Sequence, residues 1–219
     1  GGLIGDNQKG SLTAGYNTGA INASGSTNVG GIAGSNSGTI EQVFNTVMTE
    51  NGQNQTITGQ QYVGGLVGNN SGTLSNAYNT TREVKGNAAS TGNLVGTNSG
   101  TVQYVYGVAS NLIGNGNAAE YDYVIDGSDK WLQEGTYEDF TFGANGWKIY
   151  DGSTLPMLSV FLTKVTVVDQ HLVNQYFSAK HYGELHQITA DDIKALIAIG
   201  AISAPDGFGA FNNNNGLIQ

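Results

Sequence analysis

The sequence predicts a mainly β chain: a β-helix (β-solenoid) built from about four stacked repeats over residues 1–119, a small β closing segment over 120–165, and a C-terminal helical cap or docking segment over 166–219. Three observations carry this. The stretch GGIAGSNSGTIEQVFNT at 30–46 returns almost unchanged as GGLVGNNSGTLSNAYNT at 64–80, and a motif written repeatedly encodes a unit that must stack on its copies to bury anything. Apolar positions inside each copy are evenly spaced. Gly fills 34 of 219 positions while only 11% of residues are charged, a composition unlike a helical domain.

Aligned on the Gly-Gly pair, the copies start at Gly1, Gly30, Gly64 and Gly92, in steps of 29, 34 and 28 residues. Each runs Gly, apolar, Gly, Asn, Gly, hydroxyl, apolar, then an aromatic four residues later. The apolar and aromatic positions are Leu12 and Tyr16, Ile40 and Phe44, Leu74 and Tyr78, Val102 and Tyr106. In a strand an even separation keeps residues on one face. The aliphatic and aromatic series are therefore expected on a shared inner face, with Thr13, Gly15 and Asn17, and their counterparts Glu41, Val43, Asn45, Ser75, Ala77 and Asn79, on the outer one. A helix would also align a four-residue step, but dense Gly, Asn, Ser and Thr oppose it.

A second strand fits NVGGIAG at 28–34 and YVGGLVG at 62–68, each followed by an Asn-Ser-Gly turn, at 36–38 and 70–72. Stacking at about 4.8 Å would place Asn7, Asn36, Asn70 and Asn98 above one another, where amides can bond along the stack. Segments 49–61 and 81–91 read as excursions or as a third side of the coil, and NLIG at 111–114 as a decayed fifth start. In the fourth copy Asn93 replaces the second Gly and YGV replaces YNT.

Residues 121–164 carry short alternating stretches, with Trp131, Phe140, Phe142 and Trp147 expected in a compact core. From Asp169 the pattern turns helical. One helix is expected over 169–187, broken near Gly183, and a second over 189–202, with Thr189 and Asp192 imitating a capping box. Ile193, Leu196, Ile197 and Gly200 form its apolar stripe.

The repeat G-G-[LI]-[VAI]-G-x-N-x-G-[ST]-[LIV]-x-x-x-[YF]-N-T resembles the GLUG motif of large bacterial exoproteins, including haemagglutinin-like adhesins and some surface-anchored IgA-specific proteases. The match covers residues 1 to about 108, and GANGWKIYDGSTLPMLSVF at 143–161 is similar to the segment that closes such arrays. The resemblance implies a secreted or cell-surface protein whose repeats act as stalk or adhesive surface. It carries over no catalytic residue. The chain, opening inside a repeat, reads as a piece of a longer parent polypeptide.

Charge narrows the partners. The formal net charge is -9, which disfavours nucleic acid and anionic membranes. Residues 1–119 hold four acids and three bases, so most of the acidity lies beyond them. There is no Cys, hence no disulfide, thiolate site or Cys nucleophile, and no apolar run reaches the roughly 18–20 residues of a membrane span.

Candidate chemistry is sparse, and no catalytic, cofactor or metal residue is assigned. His181, Glu184 and His186 in HYGELH miss the i, i+4 spacing of a zinc helix. GNGNAA at 114–119 imitates a dinucleotide loop without its strand and helix. Asp122, Asp126, Asp129, Glu134, Glu138 and Asp139 offer carboxylates, but in neither calcium-loop order nor repeat-matched positions. Two function classes remain, beside a third reading, a pure spacer that binds nothing. The preferred one is a non-enzymatic structural and adhesive module that presents outward Asn, Thr, Ser and Gln to a host surface glycan or protein. The alternative is a carbohydrate-active β-helix, lyase or hydrolase, with Asp122, Asp126 and Glu134 on one face.

Overall fold

A computed structural model of the chain describes residues 1–46, 56–125, 128–152, 154–163, 166–180, 190–203 and 217–218. It is mainly β, with parallel sheets and a few C-terminal helices. Two compact units are present: residues 1–127 with 137–140, and residues 128–136 with 141–219.

In the first unit the strands follow the repeat. The first copy supplies β1 (Ile4–Asn7), β2 (Ser11–Asn17) and β3 (Ile21–Asn22). Next come β4 (Thr27–Gly30), β5 (Ala33–Asn36), β6 (Thr39–Asn45) and β7 (Ile57–Thr58). The third set is β8 (Gln61–Gly64), β9 (Val67–Asn70), β10 (Thr73–Asn79) and β11 (Val84–Lys85). The fourth is β12 (Thr91–Gly92), β13 (Val95–Asn98) and β14 (Thr101–Gly107), followed by β15 (Ile113–Gly116) and β16 (Glu120–Val124). Each sheet of this unit takes equivalent strands from successive copies, all parallel: β1-β5-β9-β13-β15 and β2-β6-β10-β14-β16 from all four and the set after them, β3-β7-β11 from the first three, and β4-β8-β12 from the last three. Equivalent residues pair, as Leu12 with Ile40, Ile40 with Leu74, and Leu74 with Val102.

NLIG does begin a fifth set, since Val95 pairs with Ile113 and Tyr106 with Tyr123. The strand Glu120–Val124 thus joins the sheet of the repeats, just beyond the boundary expected at 119. Within 81–91, Val84 and Lys85 pair with Ile57 and Thr58, which pair in turn with Ile21 and Asn22. Short strands from the segments between copies thus form a parallel sheet of their own. Residues 47–55 lie outside the described residues.

Two local expectations need correction. The single strand expected over 62–68 is two, β8 and β9, with a corner at Gly65-Leu66. At that corner the N–H groups of Leu66 and Val67 both donate to the carbonyl of Leu94, at 2.8 and 3.1 Å. A Cβ on Gly64 would press on the Leu94 carbonyl and on Gly96 N, so the close approach of one copy to the next requires glycine there.

The second correction concerns the faces. Ala14, Gln42, Asn76, Tyr104 and Tyr121, which share one register position, have φ of 65, 53, 50, 52 and 51°. A left-handed residue in mid-strand breaks the two-residue alternation. Ile40 and Val43 therefore both enter the core with Leu74, Ala77, Val102 and Val105, whereas Phe44 and Tyr78, adjacent to core residues along an extended strand, face the other way. Asn45 and Asn79, expected outside, are 1% and 0% exposed.

In the second unit, α1 (Ser128–Trp131) precedes β17 (Trp147–Lys148), antiparallel to β18 (Met157–Leu158). Trp147 and Leu158 are fully buried. A short strand, β19 (Leu162–Thr163), pairs in parallel with β20 (Leu217–Ile218). Helix α2 (Gln170–Lys180) is capped by Asp169, whose Oδ1 accepts from the N–H of His171 and Leu172 at 2.9 and 3.2 Å. Helix α3 (Ala190–Ala198) is shorter than expected. Gly200, at φ 75°, ends it, and Ala201 N–H returns to the Leu196 carbonyl at 2.9 Å. Asp192 Oδ1 accepts from Tyr176 Oη at 2.8 Å, and Thr189, the other half of the expected capping box, lies outside the described residues. Val173, Ile193, Leu196, Ala201 and Ile202 form the core between these helices.

Candidate functional site

The repeat positions singled out in the sequence become columns. Asn7 Nδ2 donates to Asn36 Oδ1 at 2.8 Å, Asn36 to Asn70 at 2.8 Å, and Asn70 to Asn98 at 2.9 Å. Asn98 Nδ2 then donates to the Asn117 carbonyl at 3.0 Å. These side chains are almost wholly buried, and each also serves its own turn, as where Gly38 N–H donates to Asn36 Oδ1 at 3.2 Å. Buried amides need such partners, because an unmet polar group costs about 1–3 kcal/mol.

A second amide column was not foreseen. Asn17 Nδ2 donates to Asn45 Oδ1 at 2.7 Å, and Asn45 to Asn79 Oδ1 at 2.8 Å. The signal was present in the Asn of each Y/F-N-T, but the alternation rule placed it outside. In the fourth copy this column changes hands. Gly107 stands at the register position of Asn79, while Asn93 replaces the glycine represented by Gly31 and Gly65. Asn93 reaches into the same space: its Oδ1 accepts from Val108 N–H at 2.9 Å and its Nδ2 donates to the Thr81 carbonyl at 2.9 Å. A Cβ on Gly107 would lie 2.6 Å from Asn93 Oδ1. The two departures of that copy are one compensated exchange.

The aromatic series forms a third column. Tyr16 stacks on Phe44, and Phe44 on Tyr78, each with centroids 5.0 Å apart and planes within 7°. Tyr106 stacks on Tyr123 at 5.1 Å. Residues 137–140 cover part of this column. Tyr137 tilts against Tyr78 and Tyr106, and Phe140 meets Tyr106 edge-on at 5.3 Å. Phe140, expected in one core with Trp131, Phe142 and Trp147, belongs to the first unit instead. Burial raises the phenol pKa of Tyr78, Tyr106 and Tyr137 well above the usual value, reinforced by the neighbouring phenols.

Outside this covered zone, Tyr104 stacks on Tyr121 at 4.9 Å and 6°. Tyr123 Oη donates to Glu138 Oε2 at 2.5 Å. Desolvation, and then the charges of Asp139, Tyr121, Glu138 and Glu120, raise the Tyr104 phenol above its usual value. Further polar columns line the sheets: Thr13 Oγ1 donates to Glu41 Oε1 at 2.9 Å, and Ser37 and Ser71 hydroxyls lie 2.9 Å apart.

Of the carboxylates weighed for catalysis, Asp122 lies on β16 in the first unit and Glu134 in a 3₁₀ turn of the second. Asp126 lies outside the described residues, as do His181, Glu184 and His186. Among the described residues no group of three or more His, Asp or Glu is arranged to hold a metal ion, and no helix is long and apolar enough to cross a membrane. No family model, curated protein or solved structure matches the chain.

Proposed function

We propose that the first unit is a β-solenoid of GLUG-type repeats, and that the chain is a non-enzymatic structural and adhesive module of a secreted or surface-anchored bacterial exoprotein. One observation carries this reading: the same side chain recurs at the same register in successive paired strands, and its hydrogen bonds run between copies rather than toward a cleft. Such investment stiffens a stack and leaves the outward polar columns as the variable, presentable surface. A stalk that offers hydrogen bonds to a host glycan or protein follows. The acidic balance points away from nucleic acid and anionic membrane as partners.

Far-UV circular dichroism dominated by β structure, cooperative melting and resistance to proteolysis are expected for the purified chain. Fluorescently labelled 1–219 on epithelial cells and on a glycan array is expected to bind saturably. Absence of saturable binding would remove the adhesive half of the reading and leave the stalk. Release of reducing ends or unsaturated products from acidic polysaccharides would replace both with an enzyme.

A further inference from the structure

The left-handed column changes character at its end. Its first members are Ala14, Gln42 and Asn76, but its last two are Tyr104 and Tyr121. A left-handed backbone costs roughly 1–2 kcal/mol for a residue with a Cβ, and asparagine tolerates it far better than a bulky ring. Core burial does not offset that cost at Tyr121, which is 57% exposed. Stacking on Tyr104 returns only about 0.5–1.5 kcal/mol. The bend itself is common to every copy; a bulky ring placed on it and left more than half exposed is the kind of outlier from which function is inferred.

The surroundings specify a ligand. Tyr104 covers one face of the Tyr121 ring, so the exposed surface is the other face and the edge. Glu120 precedes it on β16, and Glu138, on the covering segment, accepts from Tyr123 Oη two residues on. A flat ring bordered by acceptor oxygens matches a pyranose, whose C–H face stacks while its hydroxyls donate. The two rings are parallel within 6° and so do not wall in a point charge as an aromatic cage does. The same acids repel anionic sugars.

We propose that Tyr121, backed by Tyr104 and with the carboxylates of Glu120 and Glu138 close along the chain and the covering segment, is a stacking platform for a neutral saccharide. The proposal deepens the adhesive reading above and rests on it. It makes the last paired strand of the array, rather than the repeated polar columns, the place of contact.

The full 1–219 chain would be titrated calorimetrically with cellohexaose, maltohexaose and mannohexaose, with oligogalacturonate as anionic and chitosan hexamer as cationic probe. Binding of at least one neutral hexamer in the range of about 0.1–1 mM is expected. Tyr121→Ala should weaken it about tenfold, a loss of about 1.4 kcal/mol, and Glu138→Gln should weaken it less. Tyr121→Phe should bind within about twofold of wild type, because stacking needs the ring and not the hydroxyl. Melting curves for each variant separate loss of the site from loss of the fold. Binding that survives Tyr121→Ala would overturn the platform while leaving the adhesive reading intact. No response to any neutral hexamer at 10-fold above that range, or a preference for the chitosan probe, would also overturn it.

Discussion

Asn93 and Gly107 set up a double-mutant cycle with opposite expectations for its parts and its whole. Asn93→Gly removes two buried hydrogen bonds of 2.9 Å, one from Val108 N–H and one to the Thr81 carbonyl. Each is worth about 1 kcal/mol net, and leaving the Val108 N–H without its partner adds to the loss, so about 2–4 kcal/mol is expected. Gly107→Asn alone forces a side chain to within 2.6 Å of Asn93 Oδ1, and overpacking of this kind costs about 1–3 kcal/mol. Together the substitutions restore the arrangement of Gly65 with Asn79, so the double variant should fall within about 1 kcal/mol of wild type. The singles sum to about 3–7 kcal/mol, so the coupling would be at least about 2 kcal/mol, in or above the upper part of the range for neighbouring residues. Urea denaturation followed by circular dichroism, with equal slopes across the four proteins, measures it. A double variant as unstable as the sum of the singles would refute the exchange.

Other expectations follow from the same columns. Asn70→Ala removes the bonds to Asn36 and Asn98 and two weaker ones to backbone carbonyls, and should cost about 3 kcal/mol; Asn7→Ala, which donates to one ladder neighbour, should cost about 1 kcal/mol, and equal effects in chemical denaturation would contradict the ladder. Gln42→Gly relieves a φ of 53° and should raise stability by about 0.5–1 kcal/mol, read as a higher urea midpoint. Alkaline pH should unfold the chain. The phenol pKa values of Tyr78, Tyr106 and Tyr137 are raised in the folded state, so their contribution is complete below pH 10 and is lost as pH climbs above it. Stability should then fall by about 1.4 kcal/mol per pH unit for each phenol, and a flat melting temperature from pH 10 to 11.5 would refute their burial.

The parallel register was legible in the sequence because identical residues stacked in register leave a periodic trace: Leu12, Ile40, Leu74 and Val102 pair along one sheet. The Asn7, Asn36, Asn70 and Asn98 column was legible for the same reason. What escaped was backbone conformation that several side chains can adopt. Ala, Gln, Asn and Tyr occupy the left-handed column, so nothing in residue type announced the corner, and the alternation rule then misassigned every position after it. Only the start of the fifth set, NLIG at 111–114, was legible; its second strand was hidden because 115–124 keeps the aromatic slot, Tyr123, without the Asn-x-Gly turn that precedes it in the second, third and fourth copies. The Tyr104 and Tyr121 patch left no trace, since it depends on a register that only the fifth set completes.

Along the first column Asn7, Asn36 and Asn70 each give a hydrogen to the next amide on the C-terminal side, and Asn36, Asn70 and Asn98 each take one from the N-terminal side. No member can turn over alone, for a single inverted amide would set two NH₂ groups against each other on one side and two oxygens on the other. The column therefore has a sense, like a row of compass needles, and it keeps or loses that sense as a whole. A strand added beside β1 in the same parallel fashion would have to offer an N–H to Asn7 Oδ1, so the order in which copies can follow one another is written into the amides themselves.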